Sequence, residues 1–147
     1  MSRAVPMITK ARYELLAALR HQLRGFLQFS ARKATALGLT PQQHQALLAI
    51  KGFPGRDCVS VGELAGRLHL KHHSAVGLVD RLVRRQLVRR RVAREDRRRV
   101  EISLTARGEA LLQRLSAVHL AELREHAPEL RRLLALIGEG PRSRRGN

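Results

Sequence analysis

VSVGELAGRLHLKHHSAVGLVDRLVRRQLVRRRVAREDRRRVEISLTARG, residues 59–108, is the stretch that decides the fold. Ser60 and Glu63 form the S-x-x-E pattern of a capping box, which predicts a helix over Val61–Leu68. After a short turn, apolar residues recur at helical spacing and predict a second helix over residues 71–85. The faces expected to be buried are Val61, Leu64, Ala65 and Leu68 in the first helix and Ala75, Leu78, Val79 and Leu82 in the second. Two short helices joined by such a turn are the sequence form of a helix-turn-helix.

A two-stranded hairpin is predicted directly after the second helix. Apolar residues there alternate with polar ones, which is typical of half-buried strands. Leu87, Val88 and Val92 supply the first strand, and Val100, Ile102 and Leu104 alternate with Glu101 and Ser103 in the second, which is expected to be half-buried. A polar connection without glycine or proline joins the strands, and arginines crowd its tip. The pattern predicts a mainly α fold of the winged helix-turn-helix (α+β) type, in which the hairpin is the wing.

A long helix is predicted before this stretch, from about Ile8 to Leu37. At ~1.5 Å per residue it would span roughly 40 Å, which is long for so small a domain. Its apolar residues extend beyond a single stripe and comprise Leu15, Leu16, Leu19, Leu23, Phe26 and Leu27. We therefore assign residues 8–37 in part to a dimer interface. The alternative is a helix that packs wholly on the core of its own domain.

The segment T-P-Q-Q predicts the start of another helix between these two regions. Thr40 can cap it, Pro41 suits the first helical position, and Gln43 stands where the partner of a capping box belongs. The helix is expected to stop at Gly52, before a loop with a turn at Pro54-Gly55.

Two further helices are predicted after the hairpin. Thr105 can cap a helix over residues 106–125, and Pro128 is expected in the first turn of a last helix that ends at Gly138. Residues 1–7 are expected to form a short arm, and the tail from residue 141 onward is expected to be disordered.

The composition points to a polyanionic partner. The 147 residues carry a net charge of +17, far more than solubility requires, so nucleic acid is the first candidate and an anionic membrane surface the second. No window approaches the ~18 uninterrupted apolar residues of a membrane span, and the N-terminus lacks the pattern of a signal peptide. A single cysteine, Cys58, excludes an internal disulfide framework. A reducing cytoplasm is the expected location.

The second helix of the predicted helix-turn-helix has a polar outward face. A helix fits the major groove of DNA and presents its first residues to base edges. The residues expected to contact DNA here are Lys71, His72, His73, Ser74, Gly77 and Arg81. The adjacent histidines also suggest a metal, but neighbours on a helix point in different directions and no other ligand lies at suitable spacing. We expect no metal and no cofactor. A solvated polar face without a special role is the other alternative.

Ten arginines lie between Arg81 and Arg99, opposed only by Asp80, Glu95 and Asp96. Such a run is often a solvated face, but this one occupies a hairpin directly after the reading helix. A narrow minor groove concentrates negative potential and attracts arginine. The wing residues expected to contact DNA are Arg94, Asp96, Arg97, Arg98 and Arg99. Asp96 is expected to hold the Arg98 guanidinium with a bidentate pair.

The chain resembles the MarR (multiple antibiotic resistance regulator) family. The resemblance rests on L-V-D-R-L at residues 78–82, D-R-R at 96–98 and L-T-A-R-G at 104–108, and the order of helices agrees over nearly the whole chain. It implies a homodimer whose first helix and last two helices form the interface. It also implies that Arg98 enters the minor groove and that a ligand pocket lies between the interface and the reading head.

Four positions depart from the pattern of that family. Lys71 stands where relatives often have a capping residue, and His73-Ser74 replaces Ser-Thr. Gly77 removes a side chain that many relatives direct at DNA, at about 1 kcal/mol of helix propensity. The operator sequence is therefore expected to differ.

A ligand site and a redox role are less clearly indicated. His21, Arg24 and His44 could line a pocket for an anionic aromatic effector, the alternative being surface or core-edge residues. The reactive cysteine that some relatives carry in their first helix is absent, and Cys58 is expected to be a passive thiol. No G-x-S-x-G, P-loop, G-x-G-x-x-G or H-E-x-x-H pattern occurs, so we predict no enzyme.

The residues thus predict a single domain over residues 1–147. Dimerisation helices over 8–37 and 106–138 flank a DNA-binding head over 40–105. The predicted function is a transcriptional regulator, a ligand-responsive repressor, that binds a pseudo-palindromic operator in double-stranded DNA as a homodimer. The alternative is an architectural protein of the same fold that binds nucleic acid without sequence specificity.

Overall fold

The computed structural model describes residues 7–139, so most of the predicted N-terminal arm and all of the predicted tail lie outside it. The elements, in chain order, are α1 (Lys10–Ala36), α2 (Pro41–Lys51), β1 (Cys58–Val59), α3 (Val61–Leu68), α4 (His72–Arg84), β2 (Val88–Val92), β3 (Val100–Leu104) and α5 (Ala106–Gly138). The prediction of a mainly α winged helix is confirmed. None of the described helices combines the length and the apolar character needed to cross a bilayer.

The contacts divide the chain into two units. The head unit comprises residues 30–118. The terminal unit comprises residues 1–29 and 119–147, of which 7–29 and 119–139 are described.

Capping boxes begin two helices of the head unit, as the sequence predicts. In α2 the Thr40 hydroxyl accepts from the Gln43 backbone N–H at 3.1 Å, and the Gln43 side chain accepts from the Thr40 N–H at 3.1 Å. Ser60 and Glu63 repeat the arrangement at the start of α3, at 3.1 and 3.2 Å. Each box satisfies two backbone donors that have no partner within the helix, so the starts of both helices follow from local sequence.

The sheet has three antiparallel strands in the order β1-β3-β2 rather than the two that the sequence predicts. β1 pairs with β3, with Cys58 opposite Ser103 and Val59 opposite Ile102. Two residues are too few to show a period, which is why alternation does not reveal β1. Val59 is fully buried, so β1 closes the edge of the sheet over the core.

The core of the head unit contains the predicted apolar face of α4, and the base of the hairpin packs on it. Its largest fully buried side chains are Leu39, Leu47, Ile50, Val59, Leu64, Leu78, Val79, Leu82, Leu87, Ile102 and Leu115. The predicted half-buried alternation is wrong at Val100, which is 43% exposed, and Val92 on the other strand of the hairpin is 57% exposed. These residues pair across the hairpin, which extends beyond the core at that point, so no residue of the core covers them. The far half of the wing therefore projects from the head.

A single helix, α5, replaces the two C-terminal helices that the sequence predicts. Pro128 lies inside it. Proline in a helix removes one hydrogen bond, here to the carbonyl of Arg124, and Arg124 and Pro128 are both exposed, so water can hydrate that carbonyl. The intervening residues have no glycine and are mostly good helix formers, so the helix continues.

In the terminal unit, α1 packs against the second half of α5. The His119 ring contacts the edges of Phe26 and Phe29, with ring centroids 5.8 and 5.6 Å apart. At the opposite end, the Arg12 guanidinium donates to the carbonyls of Leu136 at 3.3 Å, Ile137 at 3.2 Å and Glu139 at 2.6 Å. Arg12 thereby caps the C-terminus of α5 with a positive charge, where the helix dipole favours one.

Candidate nucleic-acid interface

The first turn of α4 is open to solvent. Lys71 occupies the N-cap position, and its side chain makes no capping hydrogen bond. Residues 71–74, which include His72, His73 and Ser74, are all exposed, and the buried face begins only at Ala75. The capping boxes of α2 and α3 have no counterpart here. The first amides of α4 are consequently available to an anionic acceptor such as a phosphate oxygen.

Gly77 lies beside the side chain of Arg81. A Cβ built on Gly77 would lie 3.5 Å from Nη1 of Arg81, one turn further along α4. The guanidinium therefore lies along the helix surface toward its N-terminus. The Arg81 side chain thus carries its positive charge toward the exposed first turn of α4.

The wing tip, residues 93–99, is closed by its own backbone. The N–H of Ala93 donates to the Arg99 carbonyl at 2.9 Å, and the N–H of Arg99 donates to the Asp96 carbonyl at 3.0 Å. The Asp96 carboxylate accepts from the backbone N–H of Arg98 at 3.0 Å, so it does not form the predicted pair with that guanidinium. In turns, an aspartate side chain commonly accepts a hydrogen bond from the backbone N–H two residues ahead. Asp96 makes this local bond instead of the pair with the guanidinium. Within residues 7–139 the Arg98 guanidinium has no ion pair.

Two arginines of the run tie the hairpin to the two helices of the helix-turn-helix. Arg90, on β2, pairs with Asp80 of α4. Arg99, at the end of the wing tip, pairs with Glu63 of α3, with Nη2 and Oε1 separated by 3.6 Å. Sequence reasoning assigned Glu63 only a capping role, because its distance from Arg99 depends on the tertiary structure.

Other arginines of the run also have internal partners. Arg85 donates to the Gly38 carbonyl at 2.7 Å and to the Gln43 side chain at 2.8 Å, which links the end of α4 to the start of α2. Arg89 contacts the Ser103 hydroxyl at 3.4 Å across the sheet. The exposed arginines of the run without a side-chain hydrogen bond or ion pair within residues 7–139 are 81, 91, 94, 97 and 98. Of these, we take the wing-tip arginines 94, 97 and 98, together with Arg81 on α4, as the candidates to meet a ligand.

Glu63 lies in a strongly cationic environment. Burial alone would raise the pKa of its carboxyl, but hydrogen bonds from Ser60 and the charge and hydrogen bond of Arg56 together lower that pKa below its ordinary value. Arg56 also stacks on the ring of Phe53, 4.5 Å from its centroid, and Arg67 stacks at 4.9 Å. The carboxylate is thus kept charged and is held by several partners at the start of α3.

The predicted ligand residues lie in different parts of the chain. His21 and Arg24 are exposed on α1 in the terminal unit, whereas His44 is buried in the head unit. Arg24, Arg20, Leu23 and Leu27 line a surface depression of about 260 Å³. Because His44 belongs to the other unit, the predicted effector pocket stays a prediction.

Cys58 is half-buried on β1. Burial raises the pKa of its thiol, and the neighbouring Glu101 carboxylate raises it further, while Arg56 acts in the opposite direction. A raised thiol pKa disfavours the reactive thiolate, which agrees with the predicted passive role. Residues 7–139 contain no group of three histidine, cysteine or acidic side chains arranged to hold a metal ion.

Comparison with known sequences identifies a family for the central part of the chain. A model of the MarR family matches residues 37–99, which span α2 to the wing tip. No curated protein is significantly similar to the chain.

Solved structures share the fold over most of the chain. A mutant of MepR from Staphylococcus aureus, bound to an oligodeoxyribonucleotide, is 23% identical with a TM-score of 0.63, and the match covers 84% of each chain. AbsC of Streptomyces coelicolor, a MarR family transcriptional regulator, is 21% identical with a TM-score of 0.68 over 86% of this chain and 84% of its own. A multiple antibiotic-resistance repressor from Listeria monocytogenes is 28% identical with a TM-score of 0.61 over 80% and 78%.

Proposed function

Because a model of the MarR family matches residues 37–99, we propose that the chain is a transcriptional regulator of that family that binds an operator in double-stranded DNA as a homodimer. The observation that carries this proposal is that two exposed cationic features, the first turn of α4 and the wing tip, occur together in the head unit. An uncapped, exposed first turn of α4 is followed along the chain by a projecting wing whose tip exposes the arginines 94, 97 and 98. The DNA-bound MepR structure has the same fold, which supports this assignment.

In this proposal α4 enters the major groove and the wing tip reaches the minor groove. The residues of α4 that contact DNA are Lys71, His72, His73, Ser74 and Arg81. Arg98 is the wing residue that reads groove width, because its backbone is held by Asp96 while its guanidinium has no ion pair within residues 7–139. Arg94 and Arg97 supply phosphate contacts, which position the protein without carrying sequence information.

Replacing Arg98 by alanine is expected to weaken operator binding about tenfold or more, since a good arginine contact is worth ~1–3 kcal/mol. Folding should not change, because residue 98 is exposed at the wing tip. A gel shift gives the affinity, and circular dichroism with thermal melting reports the fold. Arg114→Ala serves as the matched control, since Arg114 is an exposed arginine of α5 outside both contact regions. Equal affinity of Arg98→Ala and wild type would rule out the wing contact.

The surface that we propose for dimerisation is an uncovered apolar face of the terminal unit. Large exposed side chains recur at three- and four-residue spacing on α1, and α5 has a similar series. They are Tyr13, Leu16, Leu23 and Leu27 on α1 and Leu120, Leu123 and Leu134 on α5. A series of large exposed apolar side chains marks an interaction site, and the 3-4 spacing is suited to helix pairing. We propose that a second copy of the chain covers it.

Leu23→Glu is expected to raise the dimer dissociation constant at least hundredfold. In a two-fold dimer the change acts twice, and each buried leucine contributes roughly 1.5–3 kcal/mol. Light scattering after size-exclusion chromatography at micromolar concentration gives the oligomeric state. Leu48→Glu is the matched control, because Leu48 on α2 of the head unit is 50% exposed and Leu23 is 49% exposed. A wild-type chain that proves monomeric would end the proposal of a dimer.

Sequence specificity separates this proposal from the alternative, an architectural protein that coats nucleic acid. A dimer with two heads should select half-sites about one helical turn, roughly 34 Å, apart on a pseudo-palindrome. Selection from a random duplex pool should therefore enrich such a sequence, bound at least ~10³-fold more tightly than bulk DNA. A pool that remains random after selection would favour the architectural protein.

The sign of regulation and the effector are finer parts of the proposal. We propose repression, by occupation of the operator, and relief of repression by an anionic aromatic molecule. The proposal of this effector rests only on the cationic and imidazole groups of His21, Arg24 and His44. No catalytic step is assigned to the chain.

A further inference from the structure

Two ion pairs attach the wing to the rest of the head unit, and they lie at different positions along the hairpin. The pair between Arg90 and Asp80 joins α4 to β2, and Arg90 lies opposite the buried Ile102, at the middle of the hairpin ladder. The pair between Arg99 and Glu63 joins α3 to the far end of the hairpin, where β2 and β3 no longer pack on the core. Only the second pair can restrain the wing tip itself.

Glu63 is a firm anchor for that restraint. Its side chain is 25% exposed, and Oε1 accepts from the Ser60 backbone N–H at 3.2 Å. The other carboxylate oxygen pairs with Arg56, whose guanidinium stacks on Phe53. The Ser60 backbone and the Arg56 side chain thus already hold the carboxylate in place on α3. The ion pair with Arg99 therefore fixes the end of the wing relative to α3.

Arg99 transmits this position to its neighbour Arg98. The N–H of Arg99 bonds the Asp96 carbonyl, and the Asp96 carboxylate bonds the N–H of Arg98, so the backbone of residues 96–99 forms one hydrogen-bonded turn. Fixing the end of this turn fixes the place from which the Arg98 side chain departs. The guanidinium of Arg99, which was predicted to contact DNA, is already engaged in that link.

We infer that Glu63 is a positioning residue, which aims Arg98 at DNA through its ion pair with Arg99. This inference rests on the proposed function. It adds that part of the DNA-reading geometry is set by α3, which supplies no base contact in the proposal.

A double-mutant cycle tests the coupling directly. The probe is a duplex that wild-type protein selects from a random pool, and the variants are Glu63→Gln, Arg98→Ala and the two combined. Arg98→Ala is expected to weaken binding about tenfold in the wild-type background and less than about threefold in the Glu63→Gln background. Without the ion pair between Glu63 and Arg99, the Arg98 side chain should contribute little to DNA affinity. Losses of equal size in both backgrounds would overturn the inference, because a purely structural role of Glu63 leaves the contribution of Arg98 unchanged.

The chain itself supplies the matched controls. Glutamine preserves a capping box, as Gln43 does in α2, so Glu63→Gln removes the charge and keeps the start of α3. Glu95→Gln makes the same chemical change within the wing tip and adds the same net charge without touching α3. Its background should show the full tenfold effect of Arg98→Ala. Should Glu63→Gln fail to fold, Arg99→Gln breaks the same link from the exposed side of the pair, where Arg99 is 51% exposed.

A second measurement needs no DNA. Trypsin cleaves after arginine, and mass spectrometry can locate cuts after residues 94 and 97 in the native protein. Both cuts should become severalfold faster in Glu63→Gln and Arg99→Gln than in wild type or Glu95→Gln. Unchanged cutting would overturn the tether even if DNA binding is as proposed. Faster cutting, in a protein that enriches no sequence from the pool, would instead support the tether and count against the proposed function.

Discussion

Raising the salt concentration from about 50 to about 200 mM is expected to weaken operator binding a thousandfold or more. The head unit carries five exposed cations suited to phosphate contact in each copy, namely Lys71, Arg81, Arg94, Arg97 and Arg98. If a dimer neutralises roughly 8 phosphates, the slope of log affinity against log salt should be near −7. Fluorescence anisotropy with a labelled duplex at four or five salt concentrations gives that slope.

Individual arginines should contribute separately to the salt slope. Arg97→Ala removes one exposed cation from each copy, and the slope should become shallower by about one for each phosphate that the variant no longer neutralises. Arg85→Ala removes the same charge from a residue that bonds the Gly38 carbonyl, so its slope should match that of wild type. A flat response of the wild-type protein to salt would refute binding to the phosphate backbone.

Replacing Gly108 by alanine is expected to destabilise the head unit by roughly 3 kcal/mol, as overpacking of a close contact does. A Cβ at this position would lie 2.1 Å from the Leu87 carbonyl oxygen and 3.0 Å from its carbon. The contact cannot relax easily, because the Thr105 N–H bonds the same oxygen at 3.1 Å and the Thr105 hydroxyl bonds the Gln86 carbonyl at 2.6 Å. The start of α5 is thus held against the chain that enters the wing.

Thermal or urea unfolding, at one fixed protein concentration, measures the effect of Gly108→Ala. Gly66→Ala is the matched control in the same unit, since Gly66 lies in α3 and a Cβ there would meet no atom within 4 Å. That control is expected to raise stability by up to about 1 kcal/mol, through helix propensity alone. If both substitutions stabilise the protein, the close approach of α5 to Leu87 is not present in solution.

Local patterns were sufficient to predict most of the elements. The two capping boxes, the apolar faces of α3 and α4 and the alternation in β3 each depend on residues within a few positions of one another. A glycine at residue 108 was recognised only as part of a motif. Its physical reason, the carbonyl of Leu87 twenty-one positions earlier, is visible only once the chain is folded.

The ends of elements were predicted less well where distant residues decide them. Pro128 predicts a helix start, yet α5 runs through it, and both Pro128 and Arg124, whose carbonyl loses its helical donor, are exposed residues. Val92 and Val100 have the right period for burial, yet the hairpin extends past the core that would cover them. Periodicity indicates which face is apolar, but it does not tell how far the opposing layer reaches.

The sequence by itself determined the helix-turn-helix, the wing and the cationic character of both, since these depend on short-range periods, caps and composition. Only the tertiary structure decided which arginines are engaged within the protein. Arg85, Arg90 and Arg99 are bound to Gly38, Asp80 and Glu63, respectively, while the Arg98 guanidinium has no ion pair within residues 7–139. The reason is physical: neighbouring arginines have the same charge and reach, and only the folded chain sets which carboxylate or carbonyl lies within that reach.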